Sequence, residues 1–285
     1  MLDPRLLRSF VAIVESGSFT QAAARLHSTQ STVSQHLSRL EGAVAQKLID
    51  RAARPVIATP AGERLLGYAR RLLALQGEAL QSLRDAKRTA SLRIGVPDDV
   101  LTIAMSRRLA SFAAVNGEVR LDVTTGLSRD IQRRYRAGEL DIAVVKEPAP
   151  GPDARASLPE PLAWFESAET GYAATDSLPL VAFPPGGLYR DLMIQRLENE
   201  GRNWHVAVTG SSLSSVITAV EAGIGVSVLP VSAVQGRMVR KNRELGRAGK
   251  MSISIYAWER AGAVDELIDG MFKQLGENRS NAPPE

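Results

Sequence analysis

The chain has 285 residues, with 35 Lys/Arg against 31 Asp/Glu, a formal net charge of +4 and no cysteine. That length accommodates two or three domains, and the missing cysteines exclude a disulfide framework, a thiolate metal site and a cysteine nucleophile, in keeping with a reducing cytoplasm. Arg5, Arg8 and Glu15 punctuate the amino terminus, and no apolar run approaches the ~20 residues that span a bilayer, so neither a cleavable leader nor a membrane partner is expected.

The first helix is expected from Asp3 as cap and Pro4 as first helical residue to Ser16, burying Leu7, Phe10, Val11 and Val14 and stopping at Gly17. Residues 18–41, SFTQAAARLHSTQSTVSQHLSRLE, then read as two short helices joined by a turn at His27–Thr29. Ser18 and Gln21 have capping-box spacing, and Ala22, Ala23 and Leu26 offer a small inner face to another helix. Val33, Leu37, Leu40 and Val44 recur at helical spacing and bury one side of the second helix. Its opposite side shows Ser31, Ser34, Gln35 and Ser38, with Arg39 nearby. Short hydrogen-bonding side chains on a protruding helix suit base edges in a major groove, where each base pair has its own donor and acceptor pattern. The competing reading is a helical hairpin with a solvated face.

Arg51, Arg54 and Pro55 precede the β-type run Val56-Ile57-Ala58, which suits a wing carrying basic residues to phosphates. Thr59-Pro60 opens a long helix expected over residues 60–88. Leu66, Ala69, Leu73, Gln76, Leu80 and Leu83 alternate in spacings of three and four, a coiled-coil seam with Gln76 as a register-setting polar position. The alternative is an amphipathic helix lying on its own domain. Residues 1–90 carry 13 Lys/Arg against 7 Asp/Glu, leaving 22 against 24 elsewhere. A basic head on a near-neutral body is the asymmetry of a DNA-binding module joined to something else.

Residues 1–90 resemble the amino-terminal part of the LysR-type transcriptional regulators. The resemblance rests on Leu6, Phe10, Gly17-Ser18-Phe19-Thr20, Ala22-Ala23-Ala24-Arg25-Leu26, Thr29-Gln30, Val33-Ser34, Leu40-Glu41, Arg51 and Thr59-Pro60-Ala61-Gly62-Glu63. Two departures stand out: Ser31 replaces a usual proline, and Leu48-Ile49 a usual leucine-phenylalanine. Carried over by position, the family's base-contacting residues fall on Gln30, Ser31, Ser34 and Gln35. Arg39, Arg51 and Arg54 read as phosphate contacts, which position the helix without specifying sequence. The resemblance also implies a dimerising linker helix, through Leu66, Ala69, Leu73, Leu80 and Leu83.

Beyond Lys87-Arg88-Thr89-Ala90-Ser91 strands alternate with helices. Strands are expected at 92–96, 119–123 and 140–145, with helices over 101–115 and 128–137, a βαβαβ unit with a parallel sheet. A Pro-rich run from Pro148 to Pro161 leads to further strands at 171–174, 180–183, 205–208, 225–229 and 252–258. Helices are expected over 189–199, 213–222 and 264–275, and the tail from Asn278 as disordered. Gly138-Glu139-Leu140-Asp141-Ile142-Ala143, Tyr189-Arg190 and the run Ala222-Gly223-Ile224-Gly225-Val226 to Pro230 are similar to the effector-binding part of the same family, whose fold is like that of periplasmic solute-binding proteins. The expected α/β architecture is therefore a winged helix-turn-helix (1–58), a linker helix (59–90), lobe I (91–160 with 261–279), lobe II (161–260) and a tail (280–285).

Open α/β sheets bind ligands beyond the carboxyl ends of their strands. Effector-binding candidates are Pro97, Asp98 and Asp99 after one strand, Thr125 and Ser128 after the next, and Ser211 and Ser212 before a helix of lobe II. The serines and aspartates are equally the preferred helix caps. Paired acidic side chains repel an anion, so a neutral or cationic effector is expected, or an unused site. An enzyme is disfavoured: His27, His36 and His205 have neither metal-ligand spacing nor a nucleophile, and Val96-Pro97-Asp98 is no phosphate loop, so no catalytic residue, metal or cofactor is expected. A transport protein would not need residues 1–90, whereas an architectural DNA-binding protein without effector stays open. The expected partners are double-stranded DNA, a small-molecule effector, further copies in a homodimer or homotetramer, and RNA polymerase, in the nucleoid-associated cytoplasm. The basic segment Arg237, Arg240, Lys241, Arg243, Arg247 and Lys250 reads as a solvated loop or subunit contact.

Overall fold

A computed structural model of the protein describes residues 2–82, 90–170, 177–258 and 262–280. The chain divides into two compact units, Met1–Thr89 with Arg134–Glu139, and Ala90–Arg133 with Leu140–Glu285.

In the first unit α1 (Pro4–Ser16), α2 (Phe19–Arg25) and α3 (Gln30–Val44) are followed by a hairpin, β1 (Ile49–Asp50) with β2 (Ile57–Ala58), and by α4 (Pro60–Ser82). Each start is set by a side chain: Asp3 accepts from the Arg5 N–H, Ser18 from Gln21 and Thr29 from Thr32. Gly17 ends α1 at φ 62, a left-handed cap that favours glycine. The core joins Leu7, Phe10 and Ile13 of α1 to Ala22, Ala23, Val33, Leu37 and Leu40. Ile13 takes the inward position, and Val11 and Val14, expected inside, are half-buried beside it.

Leu66 and Ala69 of α4 belong to this same core, with Leu73 packed partly against it. The spacing read as a seam for a partner helix is thus used against α1, a segment some sixty residues earlier. Gln76 accepts from Arg8 of α1 at 3.2 Å. The exposed apolar positions of α4 are Tyr68, Leu72, Leu75 and Leu80. Leu83 lies outside the described residues.

The second unit is built on one long sheet, β10-β6-β11-β5-β3-β4, with β9 also paired to β6, and a separate pair β7-β8. Its strands are β3 (Ala90–Val96), β4 (Val119–Thr125), β5 (Ile142–Glu147), β6 (Ala156–Ser167), β7 (Leu178–Ala182), β8 (Trp204–Thr209), β9 (Ser227–Pro230), β10 (Val239–Lys241) and β11 (Lys250–Ala257). Helices α5 (Ile103–Val115), α6 (Ser128–Arg136), α7 (Leu188–Asn199), α8 (Leu213–Glu221) and α9 (Ala263–Ser280) complete it. β3 pairs parallel with β4 and β5, as the βαβαβ pattern requires. Arg93 and Asp141 lock β3 to the start of β5 through two side-chain bonds of 3.0 and 3.1 Å. Helices α5 and α9 share the lobe I core, through Met105, Leu109, Leu267 and Met271. Lobe II has its own core around Trp164, Leu180, Val216 and Val228.

Three expectations need correction. Residues 156–161, expected in a Pro-rich connection, are strand: β6 runs twelve residues through both lobes, pairing with β11 through Pro161 and with β9 from Leu162. Pro159 and Pro161 fall where β6 is the outer strand of the lobe I sheet, which is where proline is tolerated. β11 pairs antiparallel between β5 and β6, so it belongs to lobe I, and lobe II ends before Lys250 rather than at 260. The last helix continues to Ser280, past the expected end at 275. The strand expected at 171–174 and the tail beyond Ser280 lie outside the described residues. Among the described residues no helix is long and apolar enough to cross a membrane.

Candidate functional site

Two candidate surfaces emerge, one in each unit. On α3 the side opposite Val33, Leu37 and Leu40, all 0% exposed, carries Gln30, Ser31, Gln35, Ser38 and Arg39, all exposed. Ser34 lies half-buried at its edge. The Ser31 hydroxyl is 2.8 Å from that of the cap Thr29, and Gln30 accepts from Thr20 at 3.5 Å, so the amino end of α3 is tied to α2. His36 turns inward, its Nδ1 2.8 Å from Ser9 Oγ. The amino end and the middle of this helix are therefore fixed while its polar stripe stays in solvent.

The wing stands on a tight joint. Glu41, its side chain 4% exposed, accepts the Leu48 N–H at 2.9 Å and pairs with Lys47 at 3.1 Å. Gly62 passes so close that a Cβ there would meet the Leu48 carbonyl oxygen at 2.0 Å. Arg51 lies over the Phe19 ring at 5.4 Å, a cation–π contact between wing and α2. Arg54 donates to the carbonyls of Arg51 and Ala53 at 2.8 and 2.9 Å, curling back on its own loop. Both arginines remain exposed, as does Arg39.

In the second unit Pro97, Asp98, Asp99 and Ser128 line one small chamber of about 50 Å³, together with Gly126, Lys146, Gly187, Tyr189 and Leu213. Thr125, Ser211 and Ser212 are not among its lining residues. Ser212 instead caps α8 in a reciprocal box with Ser215, and Ser128 accepts the Lys146 N–H at 2.9 Å. A larger recess of about 720 Å³ shares Asp98, Asp99, Lys146 and Leu213 with the chamber.

Sequence reasoning missed the group at its centre. Lys146, its side chain 6% exposed, makes a short ion pair with Asp99 and lies 3.5 Å from Glu160, with its ammonium 5.4 Å from the Tyr189 ring centroid. Burial works against the ammonium, but the Asp99 and Glu160 carboxylates outweigh it and hold Lys146 well above its ordinary value. Burial likewise pushes the Tyr189 hydroxyl up, opposed by Lys146. The signal was a lysine inside Ile142–Glu147, a strand buried at every position. Lys146 also changes the reading of the acidic pair: Asp99 already has a cation, and only Asp98 is exposed.

The family model described as the LysR substrate binding domain matches residues 85–268, and the one described as bacterial regulatory helix-turn-helix protein, lysR family, matches residues 4–63. The HTH-type transcriptional regulator DgdR of Burkholderia cepacia is 33% identical over 82% of this chain and 79% of its own length. The HTH-type transcriptional regulator PecT of Dickeya dadantii is 28% identical over 96% of this chain and 87% of its own. A solved full-length LysG of Corynebacterium glutamicum with bound effector arginine covers 97% of this chain and 99% of that one, at 20% identity and a TM-score of 0.58, a likeness of fold.

Proposed function

The chain belongs to the lysR family of bacterial regulatory helix-turn-helix proteins and is a DNA-binding transcriptional regulator with an effector-binding domain; from that premise we propose which of its residues do the reading, the pairing and the sensing. Gln30, Ser31, Ser34 and Gln35 contact base edges, and Arg39, Arg51 and Arg54 contact phosphates. The observation that carries this is the two-sidedness of α3: three apolar side chains at zero exposure behind, an exposed stripe of amides, hydroxyls and one guanidinium in front. Arg51 and Arg54 are held by Phe19 and by wing carbonyls, which limits the freedom each loses on meeting a phosphate.

The regulator works as a homodimer or homotetramer, and its α4 contact runs through Tyr68, Leu72 and Leu75 rather than through Leu66 and Ala69. Tyr68, Leu72 and Leu75 recur at steps of four and three and are 53, 45 and 43% exposed. Two modules reading half-sites multiply a modest individual affinity. The effector, neutral or cationic overall, enters the cleft where the two lobes meet at Asp98, Asp99, Lys146 and Tyr189. Its work is to favour one arrangement of the lobes, by as much as its affinities for the two differ. RNA polymerase is the further partner, and the nucleoid-bearing cytoplasm the place of action.

Footprinting on genomic fragments, with and without metabolite extracts, tests the whole. A protected, symmetric operator whose protection changes with the extract is the expected result. Equal grip on scrambled and genomic duplexes at near-physiological salt would sink the assignment of base readers.

A further inference from the structure

Resting on the effector reading above, we propose that the cleft takes a zwitterion of the α-amino-acid class, its carboxylate at the amino end of α7 and its ammonium at Asp98 and Asp99. The carboxylate side comes from backbone. α7 is a twelve-residue helix whose cap, Gly187, supplies no side-chain bond, so its first N–H groups are left for another acceptor beside the small chamber that Gly186, Gly187 and Leu188 line. No capping side chain fits there, because a Cβ on Gly187 would meet the Phe183 Cβ at 2.7 Å. A second, independent group points the same way. Tyr189 lines that chamber at 7% exposure; the Lys146 ammonium can only donate to its oxygen, and its own O–H proton finds no acceptor among the described residues. A buried O–H without an acceptor costs free energy that an incoming carboxylate removes.

The ammonium side comes from the excess of acid. Among the described residues Asp98, Asp99 and Glu160 face one ammonium, Lys146, which already pairs with Asp99, and the recess's guanidinium, Arg237, is taken by Glu221 at 2.7 Å. A ligand with a carboxylate alone adds a negative charge to this surplus. One with an ammonium alone leaves the α7 N–H groups and the Tyr189 hydroxyl unsatisfied. A zwitterion answers both and adds no net charge.

Size agrees. About 50 Å³ holds a head group of a few atoms, since one water takes roughly 10–15 Å³ on this scale. The adjoining recess of about 720 Å³ is lined by Val100, Ile103, Ile217 and Leu275 as well as by Thr102 and Gln235. It takes a side chain that is apolar along part of its length. The head group therefore belongs in the chamber and the remainder in the recess.

The test is calorimetry and thermal shift on the full chain with each of the common L-amino acids, each compared with its des-amino acid and its decarboxylated amine. The expected result is at least one amino acid binding tenfold or more tighter than both of its partial analogues. Asp98→Asn, at an exposed position, should weaken that amino acid about tenfold and leave its des-amino acid unchanged, whereas Tyr189→Phe should weaken both. A carboxylate or an amine that binds as tightly as the matching amino acid overturns the proposal, as does failure of every amino acid. Those failures leave the effector reading standing if another small molecule alters the footprint. An amino acid that binds as described without altering DNA occupancy supports the ligand class and overturns the effector reading instead.

Discussion

Glu41 and Leu48 are joined across the turn from α3 to the wing, the carboxylate accepting the buried Leu48 N–H at 2.9 Å. The carbonyl of Leu48 accepts in turn from the Thr59 N–H at 2.9 Å, so this residue is held from α3 and from the start of α4 together. Glu41→Ala leaves the N–H without its acceptor and should cost about 1–3 kcal/mol in urea unfolding of the DNA-binding unit. Glu41→Gln keeps an acceptor oxygen and should lose less; equal losses would show that the bond contributes nothing specific.

Gly62 is the steric counterpart of that joint. With a Cβ placed 2.0 Å from the Leu48 carbonyl oxygen, Gly62→Ala must displace backbone rather than a flexible side chain. Overpacking of this kind costs about 1–3 kcal/mol, and more where backbone must yield. The melting temperature of the variant checks it, and an unchanged value would mean that α4 slides freely over the wing.

Base reading and phosphate contact separate by their dependence on sequence and salt. Gln35→Ala should lose about 1–3 kcal/mol on the preferred duplex and little on a random one. Arg39→Ala should weaken both alike and reduce the slope of log affinity against log salt by about one. Titrations on both duplexes at several salt concentrations decide. Equal losses from Gln35→Ala on the two duplexes would remove it from the readers.

The two faces of α4 make opposite demands. Leu66 is 6% exposed inside its own unit, and Leu66→Ala should cost about 2–5 kcal/mol of stability whatever the state of assembly. Leu72 is 45% exposed, and Leu72→Glu should leave the folded monomer intact while shifting sedimentation toward the monomer. Dimers of undiminished strength from Leu72→Glu would move the contact elsewhere.

Lys146 gives a pH signature. Its folded value lies above the ordinary 10.5, so its contribution to stability is complete below about 10.5 and is lost as pH rises through the folded value. Tyr189, also raised, is lost in the same direction. Lys146→Met strands Asp99 and Glu160 and should destabilise by about 3–5 kcal/mol near neutrality. It should also remove much of the decline above pH 10.5. Denaturant midpoints from pH 7 to 12 measure both, and parallel curves for the two proteins would show the pair to be unimportant.

What could be read from residues alone followed the range of the forces involved. Caps act within three residues: those at Asp3 and Ser18 fall where the local pattern placed them, and Thr29, read as the end of the turn, caps α3. Leu66 and Ala69 looked outward because nothing local says that α1 lies across them. β6 was hidden by Pro159 and Pro161, which forbid a central strand and allow an outer one, a distinction that needs the neighbouring strands. β10 was hidden inside a basic run; it pairs with β6, and there Arg240 meets Glu166 at 2.8 Å. At the cleft, Pro97 to Asp99 and Ser128 were visible as strand and helix ends, but Gly187 and Tyr189 arrive from another lobe.

β6 has a mechanical meaning. Because one unbroken strand is hydrogen-bonded into both lobes, with the change of neighbour between Pro161 and Leu162, the lobes cannot slide past one another without tearing that ladder. The motion left to them is torsion, concentrated at that peptide and at the return between Lys241 and Lys250, as in a torsion bar clamped at both ends. Glu160 sits one residue before this pivot and faces Lys146, so this pair of charges stands at the shortest lever arm, where small displacements translate into large rotations at the periphery.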